Sequence, residues 1–345
     1  MREGVLAVIG DTPLLRLKRA IPNARFTLFA KLESLNPGGS IKDRPAIGIL
    51  SYALRCGELD AATVVIESSS GNMGIGLAQA CTVLGLRFIC VVDPKITKQN
   101  LLLLAVYGAE IVMVSEPDAN GEFLPARLQR VQSLLAEIPG SFWPNQYANA
   151  MNTLTHYQTT MHEIAEALQG KIDFLFCATS TCGTVMGCAE YVRDHRMHTK
   201  VIAVDAVGSV IFGHEKGPRL LPGMGAGVRP ALCRPELVTR SVVVSDLDCV
   251  IGCRRLVRRE GLLAGGSSGG VLMAIEHMQP EIPPGSVCVG IFPDRGERYL
   301  DTVFSDAWVC ENLGDISALK ELPNAFELPT VPRPPQGPVA TPGSG

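Results

Sequence analysis

A single lysine behind a proline–glycine turn is the residue of this sequence best suited to covalent chemistry. Lys42 follows the run Asn-Pro-Gly-Gly-Ser-Ile that begins at Asn36, and Asp-Arg-Pro comes directly after it. An amine at the start of a helix can form an imine with a carbonyl group when burial or a nearby cation keeps the amine partly neutral. A solvated lysine gives the same local pattern, because short glycine–lysine motifs recur by chance. The motif alone leaves both interpretations open.

Three further segments rich in glycine and hydroxyl groups follow predicted strands and open predicted helices. They are Ser-Ser-Ser-Gly-Asn-Met-Gly at 68–74, Ser-Thr-Cys-Gly-Thr at 180–184 and Gly-Gly-Ser-Ser-Gly at 265–269. One such turn is more often only a helix N-cap. In open α/β sheets, however, ligands bind outside the carboxyl ends of the strands, where helix N-termini also attract anions. We therefore expect the three loops and Lys42 to converge on one crevice.

The elements that must position these residues alternate along the chain, which predicts an α/β fold. Several predicted strands are near-continuous apolar runs, as expected for a parallel sheet covered by helices on both faces. The predicted strands are 26–32, 63–67, 86–92, 111–114, 174–178, 201–205, 241–245 and 287–292, and the predicted helices are 45–54, 75–84, 98–107, 123–136, 154–168, 246–260 and 270–278. Residues 313–345 end in a proline-rich stretch that cannot bury a core, which predicts a disordered tail.

Composition narrows the class of protein. A chain of 345 residues with 46% hydrophobic and 19% charged residues is typical of a soluble enzyme with about two domains. A net charge of −3 gives no electrostatic reason to bind nucleic acid or an anionic membrane. The 11 cysteines lack regular spacing and mostly lie in apolar segments, so we expect reduced thiols in a cytoplasm. No cysteine–histidine set has zinc spacing, and we predict no metal site.

Taken together, Lys42 and the three loops resemble the β-family of pyridoxal-phosphate enzymes, which includes cysteine synthase and cystathionine β-synthase. The resemblance runs from residue 9 to about residue 308. It implies fold type II, as in the β-subunit of tryptophan synthase, with two open twisted sheets flanked by helices. It also implies a homodimer, a smaller mobile α/β domain of residues 37–148 with 1–14, and a larger cofactor-binding domain of residues 15–36 and 149–312.

The same resemblance implies roles for the cofactor-binding residues. Lys42 matches the lysine that is bound to the cofactor aldehyde and acts as the catalytic base and acid. Asn72 matches the residue that bonds the ring hydroxyl, and Ser267 matches the residue facing the pyridine nitrogen. A neutral serine there makes the cofactor a weaker electron sink, which suits β-elimination better than transamination. The residues that match the phosphate-binding loop are Ser180, Thr181, Cys182, Gly183 and Thr184.

The substrate side of the site departs from ordinary cysteine synthases. Ser69, Ser70 and Gln146 match positions that hold the substrate carboxylate. Met73 stands where threonine is usual, which removes a hydroxyl near the substrate, and we expect the pocket to be altered there. Ser180 and Cys182 stand where glycines are usual, and we expect them to narrow the substrate space. For a phosphate leaving group the candidates are Arg127, because arginine can bond phosphate bidentately, and Tyr147; a solvated arginine and a core tyrosine are the alternative interpretation.

Longer signatures are similar to one branch of the family. They include Asp-Pro-Lys at 93–95, Asn-Gln-Tyr-Ala-Asn at 145–149 and Pro-Asp-Arg-Gly-Glu-Arg-Tyr-Leu-Asp at 293–301. Members of that branch condense O-phospho-L-serine with L-glutamate and release phosphate, on a route to 2,3-diaminopropionate for siderophores. Two alternatives stay open: a cysteine synthase that uses sulfide with O-phosphoserine or O-acetylserine, and a non-catalytic cofactor-binding sensor or partner protein. The lysine, asparagine and serine of the cofactor site disfavour the second alternative.

Overall fold

The computed structural model describes residues 3–119 and 121–314 and contains two β-sheets in that part of the chain. The strands are β1 (Leu14–Leu17), β2 (Thr27–Leu32), β3 (Val64–Ser68), β4 (Arg87–Val92), β5 (Glu110–Met113), β6 (Phe174–Ala178), β7 (Lys200–Ala206), β8 (Arg240–Val244) and β9 (Val287–Phe292). One sheet has six strands in the order β1-β2-β9-β6-β7-β8, and the other has three in the order β3-β4-β5. All pairings are parallel except that of β1 with β2.

Helices cover both sheets. They are α1 (Asp43–Cys56), α2 (Asn72–Leu84), α3 (Lys98–Val106), α4 (Phe123–Glu137), α5 (Ala150–His156), α6 (His162–Ala167), α7 (Gly183–Asp194), α8 (Asp246–Glu260), α9 (Gly266–Met278) and α10 (Asp306–Leu313). A π-helical turn at Tyr157–Met161 separates α5 from α6. Within the described residues, no helix has the length and apolar character needed to cross a membrane.

The core lies on both faces of each sheet because side chains alternate along a strand. In β6, Phe174 and Phe176 pack with the α8 and α9 side, whereas Leu175 and Cys177 pack with the α7 side. In the smaller sheet, one face packs against α1 and α2 and the other against α4. This two-sided burial explains why the central strands read as continuous apolar runs in the sequence.

The expected α/β class and its two helix-flanked sheets are confirmed, and β6, β9 and α8 have the predicted bounds. Several other elements differ from prediction by a few residues at one end, as α9 does by beginning at Gly266 rather than at residue 270. Three differences are larger. β1 was not predicted, because this four-residue edge strand buries only Leu17 and lacks a long apolar run. The single helix predicted at 154–168 is interrupted by the π-helical turn. α10 was not predicted either, and it includes Leu313, the first residue of the predicted tail, so that start was wrong. Residues 315–345 of the predicted tail lie outside the described residues.

Candidate active site

One cavity of about 290 Å³ is lined by Lys42 and by side chains from all three hydroxyl-rich loops. It lies where the chain leaves β3 and β6 and enters α2 and α7, so the loops converge as the strand ends predicted. The predicted site residues that line it are Lys42, Ser69, Ser70, Asn72, Met73, Arg127, Gln146, Tyr147, Ser180, Thr181, Thr184 and Ser267. Cys182 and Gly183 do not line it. Ser180 faces the cavity, whereas Cys182 is buried at the N-cap of α7, and its effect on the substrate space stays a prediction.

The turn before Lys42 is shaped by two glycines. Gly39 has a φ of 85°, which favours glycine, and a Cβ on Gly38 would lie 2.5 Å from the carboxylate of Asp43. The amide of Gly38 donates to Asp43 Oδ2 at 2.5 Å, which ties the turn to the first residue of α1. Lys42 consequently sits at the N-cap of α1 with its side chain on the cavity.

Burial lowers the pKa of Lys42 to about 8, and it outweighs the electrostatic effects of Cys182 and Asp294, which raise the pKa. Sequence reasoning expected burial or a nearby cation to produce a neutral amine. Only burial does so here, because the neighbours that act on Lys42 favour its charged form. A substantial fraction of the amine is therefore neutral near physiological pH, as imine formation requires.

The loop at 180–184 ends in the first turn of α7, where backbone N–H groups and the helix dipole attract an anion. Thr181 Oγ1 accepts a hydrogen bond from Asn152 Nδ2 at 3.1 Å, and Thr184 Oγ1 lies 3.3 Å from His156 Nε2. Gly183 permits this packing, because a Cβ there would lie 2.1 Å from Asn152 Oδ1. Hydroxyls of the loop are thus held in place from α5.

His156 supports this loop as a neutral side chain. Burial, and then the positive charges of Lys42 and Arg44, hold the pKa of His156 well below its ordinary value. Its Nδ1 lies 2.9 Å from Thr160 Oγ1, so both ring nitrogens face threonine hydroxyls. Sequence reasoning missed Asn152 and His156, because only helix packing brings α5 under the loop. The signature at 145–149 immediately before α5 was the available signal.

Asn72 is the first residue of α2, and its amide is fixed by residues near 294–299. Its Nδ2 donates to Asp294 Oδ2 at 2.7 Å, and Arg298 donates to its Oδ1. The hydroxyl of Tyr299 also donates to Asp294 Oδ2 at 2.6 Å. Burial raises the pKa of Asp294. Sequence reasoning assigned no role to Asp294, although it lies in the signature at 293–301.

On the substrate side, Arg127 reaches from α4 to the loop after β3. Its Nη1 donates to Ser70 Oγ at 2.8 Å, and its Nε lies 3.2 Å from Asp93 Oδ2. The side chain is 13% exposed, so it is not a solvated helix arginine. Ser69 Oγ accepts from the amide of Gly74 at 2.9 Å, which fixes the start of α2. An arginine, two serines and Tyr147 therefore share the cavity with Lys42.

The remaining predicted residues are placed by local packing. Gln146 is buried, and its Nε2 donates to the carbonyl of Ser68 at 3.3 Å. Met73 is 2% exposed in the first turn of α2. Ser267 lies in the first turn of α9, beside the hydroxyl of Ser268, which is buried and has no hydrogen-bond partner within the described residues. These positions agree with the predicted roles, which stay predictions.

The site fits a carbonyl compound that carries a phosphate. It combines an amine whose pKa is about 8, a helix N-terminus with three lining hydroxyls, and an uncharged serine in a second helix N-terminus. Such a site on two helix-flanked sheets is that of a pyridoxal-phosphate enzyme of fold type II. The chain belongs to the pyridoxal-phosphate dependent enzyme family, whose family model matches residues 5–294. Pyridoxal phosphate is the cofactor of this enzyme, which catalyses a β-replacement.

Two members of the family are similar to this chain over most of its length. The N-(2-amino-2-carboxyethyl)-L-glutamate synthase of Ralstonia nicotianae is 46% identical over 307 residues, which cover 89% of this chain and 91% of that protein. The crystal structure of an O-ureido-L-serine synthase matches with a TM-score of 0.82 at 28% identity, covering 90% of this chain and 99% of that one.

Two further solved structures are similar. A hydrogen sulfide-producing enzyme from Fusobacterium nucleatum has a TM-score of 0.81 at 32% identity, covering 87% of this chain and 98% of that one. An O-acetylserine dependent cystathionine β-synthase from Helicobacter pylori has a TM-score of 0.82 at 29% identity, covering 88% of this chain and 98% of that one. The neighbours thus share one scaffold but carry different names.

Proposed function

We propose that this enzyme condenses O-phospho-L-serine with L-glutamate, forming N-(2-amino-2-carboxyethyl)-L-glutamate and releasing phosphate. The observation that carries the proposal is the guanidinium of Arg127 in the cavity of Lys42, 2.8 Å from Ser70 Oγ. A guanidinium can bond a phosphate with two parallel hydrogen bonds, which an acetyl leaving group does not need. The relative from Ralstonia nicotianae, which is named for this product, supports the same assignment.

Pyridoxal phosphate, when bound, delocalises the negative charge that develops at Cα of the attached amino acid. Lys42 takes the proton from Cα as its amine becomes free and neutral, and it later returns a proton to the same carbon. The first turn of α7, with Thr181 and Thr184, would hold the cofactor phosphate. Asn72 would bond the ring hydroxyl, and Ser267 would face the pyridine nitrogen as a neutral group.

The substrate groups are distributed over the opposite loops. Ser69, Ser70 and Gln146 hold the α-carboxylate of phosphoserine, and Arg127 with Tyr147 holds the phosphate as it leaves Cβ. As the amine nitrogen of glutamate bonds to Cβ, it loses one proton and Lys42 delivers one proton to Cα, so one N–H bond breaks and one Cα–H bond forms. Ser180 stands on the cavity wall where a glycine is usual, and Met73 stands where a threonine hydroxyl is usual. Both therefore change the space around the substrate side chain.

One assay tests this proposal against its rival. Purified enzyme receives phosphoserine with either glutamate or sulfide, and mass spectrometry identifies the product. We expect the glutamate adduct and stoichiometric phosphate. Cysteine without the adduct would favour the sulfide-using alternative, for which the structurally similar hydrogen sulfide-producing enzyme is the specific argument. If neither product forms, the result would favour a non-catalytic sensor.

The role of Arg127 has its own matched comparison on the same helix. Arg127→Met should raise the KM for phosphoserine by about tenfold or more, because a charge-assisted hydrogen bond to the phosphate is lost. Arg130→Met is the control, since Arg130 is an exposed residue of α4 that pairs with Glu137 away from the cavity. Arg127→Lys keeps the charge beside Asp93 and separates the loss of bidentate bonding from misfolding. Equal KM values for the Arg127 and Arg130 variants would refute the role.

The setting of the enzyme is also a proposal. We propose that it acts in the cytoplasm on a route to 2,3-diaminopropionate for a siderophore, and as a homodimer. All 11 cysteines are free thiols, which supports a reducing compartment. The predicted smaller domain of residues 37–148 with 1–14 contains the three-stranded sheet, and we propose that it moves over the substrate.

A further inference from the structure

A second cation lines the active-site cavity and has no role in the steps above. Lys95 lies between β4 and α3, and its ammonium group is 5.3 Å from the ring centroid of Phe123. Asp93 lies two residues away, but its carboxylate serves other groups. Its Oδ2 lies 3.2 Å from Arg127 Nε, and its Oδ1 accepts a hydrogen bond from the backbone N–H of Lys95 at 2.9 Å. Among residues 3–119 and 121–314, no carboxylate forms an ion pair with the Lys95 ammonium. Its positive charge is therefore not neutralised locally.

Lys95 and Arg127 differ in how firmly they are held. Arg127 is nearly buried, hydrogen-bonded to Ser70 and ion-paired with Asp93, which suits a fixed contact to a phosphate. Lys95 is exposed at the cavity, and its described contact is with an aromatic ring. An ammonium on a flexible stem acts as a point charge, which suits a carboxylate on a substrate that enters from solvent.

Asn100 holds the wall beside Lys95 in place. It lines the cavity and is 8% exposed, and its Nδ2 donates to the carbonyl of Ser70 at 3.1 Å. This bond ties α3 to Ser70, the residue whose hydroxyl Arg127 contacts. The ammonium of Lys95 therefore stands on a fixed wall, where it can meet an anionic group of a ligand.

We propose that this wall binds the second amino-acid substrate, with the side-chain carboxylate of that substrate on Lys95. The inference rests on the proposed glutamate-using function and names the residue that selects an acidic amino acid. The phosphate of the first substrate remains with Arg127. An amino acid without a side-chain carboxylate gains nothing from Lys95, so the preference for glutamate over glutamine arises there.

Lys95→Gln tests the assignment because the substitution removes the charge and keeps a polar side chain at an exposed position. At saturating phosphoserine, the KM for glutamate should rise about tenfold, while the KM for phosphoserine changes less than about twofold. Lys95→Arg should restore most of the glutamate affinity. The matched control is Lys98→Gln, since Lys98 is exposed, lies three residues further on and does not line the cavity. Calorimetry of the cofactor-loaded enzyme with glutamate and with glutamine measures the same preference without turnover.

Each outcome decides one of the two proposals. A glutamate KM that is the same in the Lys95→Gln and Lys98→Gln variants overturns the subsite and leaves the proposed function standing. A change in the phosphoserine KM instead of the glutamate KM also overturns it and places Lys95 with the phosphate. A wild-type enzyme that makes cysteine but no adduct overturns the proposed function. In that event, the subsite stands if wild-type enzyme binds glutamate more tightly than glutamine in a Lys95-dependent manner, and otherwise falls.

Discussion

At the scale of single residues, the chemistry depends on the protonation state of Lys42. Its amine is the only group proposed here to attack a carbonyl, and only the neutral amine can do so. The cavity lowers the pKa of Lys42 to about 8 through burial, against the opposing effect of Cys182 and Asp294. The pKa of Lys42 is therefore higher than burial alone would make it.

We predict that the rate at which apoenzyme binds pyridoxal phosphate rises with pH and levels off with a midpoint near 8 rather than near 10.5. The reason is that the neutral fraction of Lys42 grows as pH rises through its pKa. Stopped-flow absorbance of the visible cofactor band measures this rate from about pH 6 to about pH 10.

Two variants test the cause of the lowered pKa and the site of cofactor attachment. Asp294→Asn should move the midpoint to lower pH, because the carboxylate that raises the pKa of Lys42 is lost. Lys42→Ala should acquire no visible band at any pH. A wild-type rate that still climbs steeply above pH 9 would contradict the lowered pKa, and a normal band in Lys42→Ala would contradict the attachment of the cofactor to this lysine.

At the scale of secondary-structure elements, α1 is held by a buried ion network that ends two residues from Lys42. Arg44 of α1 donates to Glu33, which follows β2, at 2.7 and 2.8 Å, and to Glu163 of α6 at 2.5 and 2.7 Å. Lys31 of β2 donates to Glu163 at 2.6 Å. The network joins three elements around the start of α1, and each charge in it has an opposite partner.

Glu163→Gln should lower the free energy of unfolding at pH 7 by about 3 kcal/mol, because it leaves a surplus buried positive charge on Arg44 and Lys31. Burial opposes ionisation of Glu163, but the hydrogen bonds and charges of Arg44 and Lys31 outweigh it and lower its pKa to about 2. Chemical denaturation of wild type and variant measures the difference.

The pH dependence of that difference has a fixed sign. A depressed folded-state pKa contributes stability above the ordinary value of 4.5, and the contribution is lost as pH falls toward about 2. The gap between wild type and Glu163→Gln should therefore narrow below pH 4.5. Glu281→Gln is the control, since its pair with Arg240 is exposed and should change stability by less than about 1 kcal/mol. A gap that widens in acid would contradict the network.

At the scale of the whole molecule, the site is assembled by parallel topology. The loops after β3 and β6 belong to different sheets, yet both reach the cavity of Lys42. Parallel strands place their carboxyl ends at one edge, and the helices that follow present their N-termini to the same space. Residues more than 100 positions apart, such as Asn72 and Asp294, are hydrogen-bonded there.

A chain that ends at residue 314 should keep the melting temperature and turnover of the full chain. The composition of residues 315–345 predicts that they bury no core, and the family model ends at residue 294. Thermal unfolding and the product assay compare the two chains, and the control is a chain that also lacks α10, whose Val309 belongs to the core of the larger sheet. A lower melting temperature for the chain ending at residue 314 would show that the predicted tail contributes to stability.

The sequence by itself determined the local elements and the chemical class of this protein. Hydrophobic period and glycine turns predicted most strands and helices, and the motifs around Lys42, Asn72 and residues 180–184 predicted a pyridoxal-phosphate site. These features are local in the chain, so a linear pattern carries them. The edge strand β1 and the π-helical turn escaped, because both depend on neighbours rather than on an apolar period.

Only the tertiary structure decided which side chains reach the cavity. It brought Asn152 and His156 against the loop at 180–184, and it placed Lys95 and Arg127 on the same cavity. It also set the pKa of Lys42, since burial is a property of the packed molecule. The physical reason is common to these cases: desolvation and hydrogen bonding act between residues distant in sequence, and their geometry exists only after the sheets and helices have packed.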